Sequence, residues 1–436
     1  MRIHSLDDRE TRERLDTLGD RVFRLLENLP DGTRALVERA LTAIPEDGDP
    51  AIAALQSEIS GRAARPDAIR IPAETIAAAK GDGESTEDDA LAPLRDAIVQ
   101  MTRFHENARP VPTATYRFLG SRIVPVQSPV RRVGVLVPGG GSPAISALLG
   151  AVLPAKAAGV SEIAIAVTPD ASGEVKREVL AVAAELGIDE IHALSPLPAF
   201  VAFAFGSDTI ARADLVAGHA DLPTLEASRR IGQHVTATRL VGHSELVVLA
   251  DDSARPDWLA ADILANAERS ELSATIVLTE NAQLAEAVVK AVDAQLEPLE
   301  TRDVARRSLD DHGCVIVTPD VDAALTVIDE LAPQSVEIVR ADAADVVPRI
   351  ENAASVLVGP YSPASLGALC AGPSRLLPAG GSARFASGLS VRDFCRETVR
   401  IELTEEGCRD LTDAAKALAD AEGLDGHHRS LEARRS

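Results

Sequence analysis

A chain of 436 residues with 46% hydrophobic content holds material for two or three domains and more than one core. Its formal charge of −23 excludes nucleic acid as a partner, because a phosphate backbone needs Lys and Arg to displace its counterions, and the acid excess reads as solubility. No apolar run approaches the roughly 18 residues of a membrane span, the N-terminus has no leader-like pattern, and four cysteines lack CxxC spacing, so a cytoplasmic chain with reduced thiols and no membrane contact is expected.

In chain order, residues 6–60 place Leu15, Leu18, Val22, Leu25 and Leu26 at three- and four-residue spacing, which predicts helix. Asp47-Gly-Asp-Pro50 breaks that pattern and starts a second helix, with proline early in it. An acidic loop over 81–89 precedes another helical repeat at 91–105. The run 132–138 is apolar throughout, as expected of a strand buried on both faces. It ends in Gly139-Gly-Gly141 and feeds a helix to about 158. Strand 162–167, helix 173–186 and strand 190–193 continue the alternation, which indicates a parallel doubly wound sheet. A second unit starts at strand 244–250. Helix 258–267, strand 275–279, helix 282–296 and strands 314–317, 335–339 and 355–358 follow. The polar tail from about 390 is expected to be helical.

Several short stretches carry a resemblance. They are Gly48-Asp-Pro-Ala-Ile52, Phe104-His-Glu106, Val133-Gly-Val-Leu-Val-Pro-Gly-Gly140 with Leu153-Pro-Ala-Lys-Ala-Ala-Gly159, and Ser244-Glu-Leu-Val-Val-Leu-Ala-Asp251. The segment from Gly359 to Gly367, the glycine-rich loop from Leu377 to Ser390, and Glu422-Gly-Leu-Asp-Gly-His427 complete the set. In this order they resemble the histidinol dehydrogenase family, zinc- and NAD-dependent enzymes that end histidine biosynthesis, over nearly the whole chain. The resemblance implies an α/β fold of two tandem incomplete Rossmann-like domains with parallel sheets. It divides the chain into a helical region 1–130 partly packing on the second α/β domain, Rossmann-like domains at 131–242 and 243–388, and a helical tail 389–436. It also implies a homodimer in which the tail reaches the other subunit's site.

The chemistry of the family is less visible. Its zinc ligands correspond to Asn266, Arg269, Ala368 and His427, and only the last is a good ligand. Its acid–base pair corresponds to Gln334 and Ser335, neither a base near neutrality. Leu136 and the segment 217–223 replace residues on its NAD side. The sequence therefore predicts no zinc, no NAD, and loss of histidinol oxidation. Retained groups point to an occupied pocket: Ser244, Glu422 and His427 at substrate-contact positions, with Tyr361 and Glu268 beside them.

The resulting expectation is a repurposed enzyme of specialised metabolism doing cofactor-free acid–base or cyclisation chemistry on an anionic or carbonyl-bearing small molecule. Arg269 would anchor the ligand in place of the metal, His427 and Glu422 would move protons, and Ser244, Tyr361, Gln334, Ser335 and Asn266 would line the site. A non-catalytic ligand-binding or scaffold protein and a zinc-independent NAD dehydrogenase are the alternatives. Arg269 could also be a salt-bridged partner of Glu268 or Glu271. His219 and His243 are either replacement bases or incidental loop residues.

Overall fold

The computed structural model describes residues 1–6, 8–19, 21–80, 91–111, 114–139, 144–241 and 244–434; His243, Gly140, Gly141 and the acidic loop from Gly81 lie outside them. In chain order the strands are β1 (Arg2–Ser5), β2 (Tyr116–Phe118), β3 (Ser121–Pro129), β4 (Arg132–Val137), β5 (Glu162–Val167), β6 (Ile191–Ala193) and β7 (Leu215–His219). They continue with β8 (Thr236–Val241), β9 (Glu245–Ala250), β10 (Ala274–Thr279), β11 (Gly313–Val317), β12 (Ser335–Val339), β13 (Val356–Val358) and β14 (Cys395–Leu403).

Two parallel sheets organise the α/β fold. The first has the order β6-β5-β4-β7-β8, the second β1-β11-β10-β9-β12-β13. All six residues of β4 and all six of β9 are buried, which is why both read as apolar runs after their first residues, Arg132 and Glu245. Helices cover both faces, because a parallel sheet needs a crossover between neighbouring strands. On the first sheet, Ile145–Ala158 and Arg177–Glu185 build one core, and Pro196–Phe205 with Asp31–Asp47 and Asp49–Ser60 builds the other. Gly134 of β4 lets the helix above come close: a Cβ there would lie 2.5 Å from the Phe203 ring. On the second sheet, Pro256–Ala267 and Ala282–Leu296 face Arg9–Gly19 and Val321–Leu331 across the strands.

The N-terminal region is shared between the sheets. β1 pairs in parallel with β11, and the helix Arg9–Gly19 packs on the second sheet, while the helices from Asp31 onward pack on the first. The tail departs from its expected helix: β14 runs for nine residues antiparallel to β3, and β2 completes a third sheet. Val399, Ile401 and Leu403 alternate with Arg400 and Glu402, a strand's period hidden in a polar composition. Arg122 of β3 pairs with Glu402 at 2.7 Å across the ladder. Helices resume at Glu405–Ala421 and Asp425–Glu432. Among the described residues no helix is long and apolar enough to cross a membrane.

Candidate functional site

A cavity of about 530 Å³ lies against the second sheet, in the range of small-molecule sites. Its wall uses the amino ends of β9 and β12, the edge strand β13, the helix Ala364–Leu369, the loop to Leu377, and the end of the helix Pro256–Ala267. Open α/β sheets more commonly bind at the carboxyl ends of their strands. Here the first sheet closes the arrangement through Arg375, whose Nη1 donates to Ser146 Oγ at 2.5 Å, in the first turn of Ile145–Ala158.

Ser244, Asn266, Arg269, Gln334, Ser335 and Tyr361 all line this cavity. Gln334 is fixed by its backbone and its neighbours. The helix Val321–Leu331 ends at Ala332 with φ 44°, a left-handed turn a non-glycine residue adopts only at a cost of about 1–3 kcal/mol. That turn delivers Gln334, whose Oε1 accepts from Ser244 Oγ at 3.2 Å and whose Nε2 donates to the Leu377 carbonyl at 3.2 Å. Asn266 is committed to structure: its Nδ2 donates to the Ala274 carbonyl and to Thr275 Oγ1, both at 2.9 Å. Tyr361 is 81% exposed at the mouth, its ring 5.7 Å from that of Trp258.

Glu422 and His427 lie on the exposed tail and do not line the cavity of their own chain. His219, at the end of β7, is held near pKa 4 chiefly by burial, with Arg375 and Arg269 adding to the shift against Asp221. It is neutral at physiological pH and a poor base.

Two charged lining residues escaped the sequence. Glu245 is the carboxyl group among the described lining residues, and its Oε1 accepts from the Gly380 amide at 3.0 Å. Arg375 sits in a short Gly-Pro-Ser-Arg stretch with no periodicity to mark it. Arg269 and Arg375 face one cavity, and each bears a desolvation cost. Burial, then the neighbouring Arg375 charge, pulls Arg269 down to about 9, and burial lowers Arg375. Arg269 still keeps accessible surface, a combination that arises where a side chain lines a cleft. Below them, Glu337 accepts from the Ala364 amide at 3.2 Å and shares a buried site with Asp262, so that both carboxyls are pushed toward the neutral form.

The site does not fit a metal ion. Asn266 offers a neutral amide oxygen, a poor zinc ligand, Ala368 offers no donor atom, Arg269 is a cation, and no group of three metal-ligating side chains occurs among the described residues. The helix Ile145–Ala158 starts after Ala144, whose carbonyl accepts from the Ala147 and Leu148 amides.

The family model "Histidinol dehydrogenase" matches residues 27–435. Histidinol dehydrogenase of Moorella thermoacetica is 36% identical over 404 residues, covering 93% of this chain and 95% of the relative. That of Ruegeria pomeroyi is 36% identical over 409 residues, covering 94% and 93%. A crystal structure of histidinol dehydrogenase from Elizabethkingia anophelis superposes with a TM-score of 0.89 at 24% identity, covering 100% of this chain and 98% of that one. Such kinship over nearly the full length overturns the expectation of a repurposed enzyme doing cofactor-free chemistry in specialised metabolism, and with it the scaffold alternative.

Proposed function

The chain belongs to the histidinol dehydrogenase family, and from that premise we propose that it oxidises an amino alcohol of the histidinol type to the amino acid. The observation that carries the proposal is 36% identity to a histidinol dehydrogenase over 93% of the chain. In such a reaction the carbinol gives a hydride to NAD and a proton to the medium, water adds to the aldehyde, and the hydrate gives up a second hydride and proton. When bound, NAD would supply the hydride acceptor, and the amino end of Ile145–Ala158 would face its phosphates.

The chain's own groups orient the substrate. Ser244, its hydroxyl hydrogen directed to Gln334, can accept a hydrogen bond from the carbinol or the amine. The Leu246, Val356 and Leu366 side chains give the cavity its apolar wall. Since the lining does not fit a metal ion, no step is routed through one.

A homodimer accompanies the reading. Val399, Ile401 and Leu403 on β14 are 51%, 65% and 47% exposed, and Phe118 on the same sheet is 58% exposed. A stripe of that kind is one that a subunit interface would cover. It would place Glu422 and His427 against a second copy, and light scattering should return twice the chain mass.

The deciding assay is NADH formation from NAD and histidinol, with histidine identified by mass spectrometry. Two NADH per histidine is the expected result. No NADH, with and without added zinc, would reject the reading.

A further inference from the structure

We infer that Arg269 and Arg375 together form a receptor for a small carboxylate, the acid end of the molecule that the cavity oxidises. The inference deepens the alcohol-to-acid reading above and rests on it. The two guanidinium groups come from different elements, one after the helix Pro256–Ala267 and the other from the loop past Ala364–Leu369, and both line the same cavity.

Neither is neutralised by the obvious acids. Glu268, next in sequence to Arg269, accepts from Thr301 Oγ1 at 2.8 Å, and Glu271 pairs with Arg307 at 2.5 Å. Arg375 has a serine hydroxyl as its described partner. Among the described residues neither arginine makes an ion pair, in a chain with 67 acidic side chains against 44 basic ones. Two like charges in one cavity repel each other, as the downward pull of Arg375 on Arg269 shows, and the Glu245 carboxyl of the same lining accepts from the Gly380 amide and makes no ion pair with either arginine. Guanidinium forks suit the planar oxygens of a carboxylate. An oxidation that ends in an acid delivers such an anion, and negative charge that develops on the same oxygens beforehand would be stabilised by the same groups.

The carboxylate has two possible sources: it is formed by the oxidation, or it is already carried by the alcohol. Calorimetry separates the receptor from the chemistry, because binding is read without turnover. Histidine, acetate, glycerate and histidinol are titrated into the wild-type protein and into Arg269→Gln, Arg375→Gln and Arg269→Lys.

The receptor predicts that histidine and acetate weaken about tenfold or more in each Gln variant, a loss of about 1.4 kcal/mol. Arg269→Lys should recover part of that loss, and histidinol, which has no carboxylate, should change far less. Equal histidine and acetate affinity in wild type and Arg269→Gln would overturn the inference, even where Arg375→Gln fails to fold for want of its Ser146 contact. Glycerate that binds through the arginines and reduces NAD assigns the carboxylate to the substrate; glycerate that is not oxidised assigns it to the product. A failed histidinol assay beside arginine-dependent binding would reject the oxidation reading and leave the receptor standing.

Discussion

Arg132, at the base of the first sheet, and Arg269, in the cavity beside the second, carry the same side chain in opposite company. Arg132 is 8% exposed, and its Nη2 lies 2.6 Å from Glu190 Oε1 and its Nη1 3.3 Å from Glu162 Oε2, while its Nε donates to the Ala211 carbonyl at 3.2 Å. Burial opposes its charge, but Glu190 and Glu162 more than offset that and hold its pKa above the ordinary value. Arg269 has burial and a second arginine acting in the same direction, downward. The fold therefore completes an arginine that belongs to the structure and leaves incomplete one that belongs to a ligand.

The largest expected effect separates the two arginines directly. Arg132→Ala strands Glu190, already in contact with His192 at 3.0 Å, and should cost about 3 kcal/mol or more in urea unfolding. Arg269→Ala should cost under about 0.5 kcal/mol or stabilise the fold, because it removes a repulsion. Equal losses would break the comparison. Asn266 sharpens it from inside the cavity: both its amide contacts are internal, so Asn266→Ala should lose about 1–3 kcal/mol of stability.

The smallest effect concerns pH. Burial first, and Asp262 second, push Glu337 from 4.5 up to about 8. Between those values the folded protein keeps a proton that the unfolded chain releases, so stability falls as pH rises across that window and levels off above it. Glu337→Gln should flatten the fall, and melting curves at several pH values would show wild type and variant diverging toward pH 8.

Sequence pattern revealed the elements that are buried on both faces, such as β4 and β9, because apolar continuity is a local signal. It missed β1, an edge strand whose partner β11 lies some 300 residues away in the chain, and β14, whose apolar residues alternate among charges. In the cavity, the resemblance supplied Ser244, Asn266, Arg269, Gln334, Ser335 and Tyr361, and all of them line it. Arg375 and Glu245 were not legible, since a cavity lined from several elements leaves no spacing in the chain. Glu422 and His427 lie away from the cavity of their own chain, so any part they play depends on a second copy.

The most direct test is a crystal structure of the protein grown with histidine and NAD. The account predicts the histidine carboxylate within hydrogen-bond distance of both Arg269 and Arg375. A carboxylate from a second copy's tail seated between the two guanidinium groups, with histidine bound elsewhere or not at all, would contradict it.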